Sequence, residues 1–112
     1  PREMEVHLSE AHRAAGYIEL ERARVRWYLS IDRNDLPAAA AGKSTWRSIK
    51  VDGREIEFSE GFTDLHTRVY EEILAGRGFG IEEARTSVEI AHWIRHAQAI
   101  KADPARRHPL VG

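Results

Sequence analysis

Residues 24–31, Arg-Val-Arg-Trp-Tyr-Leu-Ser-Ile, alternate strictly between apolar and polar side chains. Val25, Trp27, Leu29 and Ile31 share one parity; Arg24, Arg26, Tyr28 and Ser30 share the other. Successive side chains of a strand point to opposite faces, so the run writes one apolar face and one polar, partly aromatic face. A helix would scatter the same four apolar residues around its circumference, and the β-branched and aromatic content favours strand. The expected fold is α+β: an open, mainly antiparallel sheet with this strand central and two C-terminal helices packed on one face.

A preceding run, Tyr17–Arg22, carries Ile18 and Leu20 on the even parity, whereas the apolar parity is odd from Val25 onward. One flat strand cannot exchange its faces, so either a tight turn or a β-bulge lies near Arg22–Arg24; a turn or sharp bend is the preferred reading, making Tyr17–Ile31 two adjacent strands. Glu5–Ser9 reads as a short edge strand, and Glu10–Ala15, small and polar, as a connection into a strand that opens at Gly16. Asp32–Thr45 reads as loop, with Asx-type turns at Asp32, Asn34 and Asp35 and a single helical turn at Ala38–Ala41. Trp46–Phe58 is a hairpin: Asp52-Gly53 suits a type I′ turn, which sets Val51 opposite Arg54, Lys50 opposite Glu55, and Ile49 opposite Ile56.

A helix is expected over about Thr63–Ala75, with Thr63 as N-cap, Asp64 in its first turn, and Phe62, Leu65, Val69 and Ile73 as its buried stripe. Gly76 suits its C-terminal stop, and the glycine-rich Gly76–Gly80 reads as a helix–helix turn. A second helix runs from about Ile81 to Gln98, with Glu82 and Glu83 at its positive end and Arg95 and His96 at its negative end. The segment 104–112, with two prolines, is expected to be an unstructured tail beyond a domain of residues 1–103.

The 112 residues suffice for one core, and 42% hydrophobic with 31% charged residues is ordinary for a globular domain. A formal net charge of −1 offers no long-range attraction for a polyanion, which argues against nucleic acid as partner. No apolar run approaches the roughly 20 residues of a membrane span. The absence of cysteine excludes disulfides and thiol chemistry and suits a cytoplasmic location. The chain begins at Pro1 with its one Met at position 4, so a piece of a longer protein is expected.

Candidate chemistry is sparse. His92 and His96 stand four apart on a helix, a spacing that can present two imidazoles to one metal, but no third ligand is signalled and surface histidines are the favoured reading. Arg22, Arg24 and Arg26 read as an exposed strand face balanced by Glu19 and Glu21 rather than an anion site. Trp27, Trp46 and Trp93 read as core or interface anchors. Thr63, Asp64, His66 and Tyr70 gather polar groups at a helix N-terminus, where free N–H groups suit anions. No Ser/His/Asp set, paired carboxylates or dinucleotide-binding glycine fingerprint occurs.

Three stretches carry a resemblance: Ala15–Asp32, Arg47–His66 with its Gly-Phe-Thr-Asp-Leu-His string, and Gly78–Arg85. Together they resemble the C-terminal part of Gfo/Idh/MocA-type oxidoreductases, and within these the subgroup that oxidises UDP-N-acetylglucosaminuronic acid at the 3-hydroxyl with NAD in making lipopolysaccharide sugars. The resemblance implies a parent with an N-terminal Rossmann domain for NAD and a second domain whose sheet makes subunit contacts. The family's lysine and Asp-x-x-x-His motifs lie upstream and do not occur here, so no catalytic, cofactor or metal residue carries over. By the same resemblance, Phe62, Thr63 and His66 border the nucleotide-sugar pocket. The chain is thus expected to be inactive alone, to bind no NAD, and to supply scaffold, pocket wall and subunit interface. The alternative is a standalone binding or oligomerisation module using an exposed sheet face; either way self-association is expected.

Overall fold

The computed structural model describes residues 1–59 and 64–111. The chain divides into two compact units, 1–35 with 87–112 and 36–86.

In the first unit, β1 (Glu3–Ser9), β2 (Arg13–Glu19) and β3 (Arg24–Ser30) form an antiparallel sheet with β2 in the middle. The parity change is a turn, as expected: the Leu20 N–H donates to the Ala23 carbonyl at 2.8 Å, and β3 folds back on β2. The expected connection at Glu10–Ala15 is corrected, because β2 begins at Arg13, which pairs with Ser30, while Ala14 pairs with Leu29. Ala14, Ala15 and Gly16 are weak strand formers, but a central strand receives hydrogen bonds from both neighbours, and that pairing overrides local preference. The central strand is therefore β2, and β3 is an edge of this sheet.

The register between Val6 and Leu8 shifts, so His7 occupies a bulge in β1. Val6 pairs with Gly16, which pairs with Trp27, placing the three on one face. A Cβ on Gly16 would overlap the Glu5 carbonyl and sit 2.6 Å from a Trp27 ring carbon, so the indole lies directly over the bare backbone. Val6, Ala15 and Tyr17 are buried. Leu29 and Ile31, on the apolar parity of β3, remain 65% and 79% exposed.

The segment 104–112 is not the unstructured tail expected. Backbone amides of Arg106 and Arg107 donate to the Asp103 carbonyl at 2.9 and 3.0 Å, and the Ile100 N–H donates to the Val6 carbonyl at 2.8 Å. The Arg106 guanidinium reaches Glu3 at 2.7 Å and Glu5 at 2.5 Å, and lies 4.8 Å from the Tyr17 ring centre. Charge pairing and cation–π contact anchor what composition alone marks as loop.

In the second unit, β4 (Ser48–Val51) and β5 (Arg54–Glu57) form a hairpin with the register expected from its turn, Ile49 opposite Ile56 and Lys50 opposite Glu55. Asp52 and Gly53 have φ of 49° and 81°, the pair of left-handed residues a type I′ turn requires. Strands thus form two separate sheets rather than one among the described residues. Helix α1 spans Leu65–Leu74 with Asp64 at its N-cap position and no side-chain cap bond; the expected cap residue Thr63 lies outside the described residues. It ends in a Schellman arrangement: Gly76 has φ of 77°, its N–H donates to the Ile73 carbonyl, and the Arg77 N–H donates to that of Glu72. The stripe Leu65, Val69, Ile73 has helical spacing but is exposed rather than buried.

Helix α2 spans Ile81–His96. The Glu83 carboxylate accepts the Gly80 N–H at 2.8 Å, tying down a free donor at the helix start. No helix is long and apolar enough to cross a membrane among the described residues. Antiparallel sheets followed by two helices give the α+β class expected.

Candidate functional site

Of the three expected pocket residues, Phe62 and Thr63 lie outside the described residues. His66 stands on the first turn of α1 and is exposed, as is Tyr70 one turn on. Four residues of separation put both on one side of the helix, with His66 in the first turn, whose free amides point out of the helix N-terminus.

The histidine pair of α2 is brought together, with ring centres 4.3 Å apart. The His96 Nδ1–H donates to the His92 carbonyl at 2.8 Å, so His96 is partly spent on its own helix. No group of three potential ligands that could hold a metal occurs among the described residues. The pair lines a shallow, open depression with Val88, Glu89, Trp93 and Ala97.

The densest polar constellations lie elsewhere. Asp35, in the turn after β3, accepts from Arg13 Nε at 2.6 Å and Nη2 at 3.0 Å, from Ser30 Oγ at 2.5 Å, and from the Tyr28 hydroxyl at 3.3 Å. These donors, the Arg13 guanidinium first, hold the Asp35 carboxyl below its ordinary pKa. Burial and the Asp35 charge push the Tyr28 phenol upward. The arrangement clasps the loop to β2 and β3, with three of the four donors on Asp35 Oδ2 and one on Oδ1.

A second constellation forms where the C-terminal segment crosses the polar face of the sheet. Tyr17, Glu19, Arg24, Arg26, Asp103, Ala105 and Arg106 line a charged cleft there. The Tyr17 hydroxyl donates to Glu19 at 3.0 Å, and Glu5 is held below its usual pKa by the hydrogen bond from His7 and by Arg106. Arg24 and Arg26 therefore face a balanced set of charges, in keeping with an exposed strand face. His108 stacks on Tyr28 with ring centres 5.6 Å apart. Neither constellation was legible as a site: Arg106 and Glu5 stand 101 residues apart, and no local periodicity links them. The one sequence cue is the opposite charge of Glu3 and Glu5 at one end and Arg106 and Arg107 at the other.

NAD needs a glycine turn leading from a strand into a helix, where amides receive the pyrophosphate. Gly76–Gly80 instead joins α1 to α2.

No protein-family model matches the chain. Among solved structures, the chain superposes on the WlbA (WbpB) dehydrogenase from Thermus thermophilus in complex with NAD and α-ketoglutarate, with a TM-score of 0.91 and 50% identity over 98% of its residues. A second structure of that enzyme, in complex with NAD and UDP-GlcNAcA, gives a TM-score of 0.90 at 48% identity. In both, the chain spans 36% of the length of the protein it matches. Over 98% of its residues, and with the same α+β order, the chain matches the C-terminal part of the WlbA (WbpB) dehydrogenase, a Gfo/Idh/MocA-type enzyme.

Proposed function

We propose that this chain is the C-terminal part of an NAD-dependent dehydrogenase that oxidises the 3-hydroxyl of a UDP-N-acetyl-hexosaminuronic acid in lipopolysaccharide sugar biosynthesis. The observation that carries the reading is 50% identity over 98% of the chain to a dehydrogenase crystallised with NAD, and in a second structure with UDP-GlcNAcA. The chemistry that NAD supplies when bound is acceptance of the hydride; the residues that hold it, and the base for the hydroxyl proton, belong to the remainder of the enzyme. The role assigned to this chain is support. Its helix α1 presents His66, with Phe62 and Thr63 just before it, as one wall of the sugar pocket, and its sheet contributes to subunit contacts.

The test is a chimera in which this chain replaces the matching segment of the Thermus thermophilus enzyme. NADH formation with UDP-GlcNAcA is the expected result. A folded chimera that binds NAD but neither binds nor turns over the nucleotide sugar refutes the reading. In the active chimera, His66→Ala is expected to raise KM for the nucleotide sugar severalfold and leave NAD affinity unchanged; equal effects on both would remove His66 from the pocket. The isolated chain is expected to show no NAD-dependent shift in melting temperature, and a saturable shift would contradict that.

A second reading, a self-associating module, is favoured by the 65% and 79% exposure of Leu29 and Ile31. Both readings expect the isolated chain to self-associate in sedimentation, so the chimera separates the two: a stable oligomer whose chimera lacks activity supports the module.

A further inference from the structure

The C-terminal segment is fastened to the sheet at two places of different chemistry. At the first, Arg106 pairs with Glu3 and Glu5 and covers Tyr17. At the second, the His108 ring stacks on Tyr28, and its Nδ1 accepts the Leu110 N–H at 3.1 Å. A backbone N–H can only donate, so His108 Nδ1 must carry a lone pair in this arrangement, which requires the neutral ring with its proton on Nε2. We propose that His108 is a proton-operated latch, whose protonation loosens its ring from Tyr28 of β3 and opens the turn it holds with Leu110, while the Arg106 anchor holds.

Protonation acts on this contact in three ways. It places a hydrogen on Nδ1 and abolishes the acceptor for Leu110. It puts a cation near Arg26, the charged group of β3 that faces the ring. It also charges a half-buried imidazole against Tyr28, and burial disfavours the charged form. Around Tyr28 the other charged groups are Glu10, Arg13 and Asp35. Arg13 and Asp35 neutralise each other, so they supply no net counter-charge for an imidazolium. Within the tail, Arg106 is committed to Glu3 and Glu5.

The pH dependence has a definite sign. Burial first, then Arg26, lowers the pKa of His108 from its ordinary value of 6.5. Docking is at full strength above pH 6.5, weakens as the pH falls below it, and levels off once the docked ring is itself protonated. The total loss of docking equals the ratio of the acid constants in the docked and free tail, tenfold for each unit between them. The Arg106 anchor responds only at lower pH, because Glu5 is held below the usual carboxylate range.

An NMR pH titration of the full chain tests this. The protection of the Leu110 amide, corrected for intrinsic exchange, is expected to fall severalfold as the His108 ring titrates, with one common midpoint below 6.5. The Arg106 and Arg107 amides, held by Asp103, stay protected over the same range. Constant Leu110 protection through the His108 titration overturns the proposal, as does a His108 midpoint at or above 6.5. His108→Asn retains a short side-chain acceptor without a titrating ring. Its Leu110 protection is expected to be the same at neutral and mildly acid pH, and a persisting pH dependence would rule out His108 as the switch.

Discussion

Replacing Gly16 by alanine probes the tightest packing in the structure. The added Cβ would overlap the Glu5 carbonyl and lie 2.6 and 2.9 Å from two ring carbons of Trp27. Ordinary carbon–carbon contacts begin near 3.5 Å. The indole must therefore retreat by roughly an ångström, and β1 must shift as well, because the carbonyl is backbone and cannot rotate away. Overpacking of this kind costs about 1–3 kcal/mol. Alanine recovers about 0.4–1 kcal/mol by restricting the unfolded chain. With backbone as one of the obstacles the upper part of the range applies, giving a net loss of about 2 kcal/mol. For a domain of this size that lowers the melting temperature by roughly 10 °C. Urea unfolding followed by far-UV circular dichroism measures the loss, and hydrogen exchange at the β1 and β2 amides assigns it to the three-stranded sheet. A Trp27→Leu background should reduce the penalty without removing it, since the carbonyl clash remains. A Gly16→Ala protein as stable as the parent would refute the register Val6–Gly16–Trp27 and the face assignments that rest on it.

Other outcomes follow from the same geometry. Val6→Ala deletes two buried methyl groups beside that contact and should cost about 2 kcal/mol, read from the same unfolding curves. Gly53→Ala forces a Cβ into a left-handed position and should cost about 1 kcal/mol, visible as lost cross-strand contacts between Ile49 and Ile56 in NMR spectra. Asp35→Asn should lower the melting temperature at neutral pH by weakening the bonds to Arg13, Ser30 and Tyr28. Because the folded-state pKa of Asp35 is lowered, this contribution is present above the ordinary carboxylate pKa of 3.8 and is lost as the pH falls through the lowered value. The gap between parent and variant should therefore close in acid; a gap independent of pH would show that the clasp does not depend on charge.

Sequence alone determined the parts that depend on near neighbours. The alternation of Arg24–Ile31, the change of parity before it, and the turn chemistry of Asp52-Gly53 specify strand, reversal and register within a few residues, and Gly76 stops α1 by the same local logic. The family resemblance was also carried by contiguous strings. Tertiary structure decided what distant residues do to one another. It made Arg13–Gly16 the start of the central strand, because pairing on both sides outweighs the weak preference of small residues, and it opened a bulge at His7. It ordered the C-terminal segment through Arg106 on Glu3 and Glu5 and through His108 on Tyr28, contacts between distant parts of the chain for which no periodicity exists. It also left the stripe of α1 uncovered, since a hydrophobic period states that a face is apolar and not which surface will meet it.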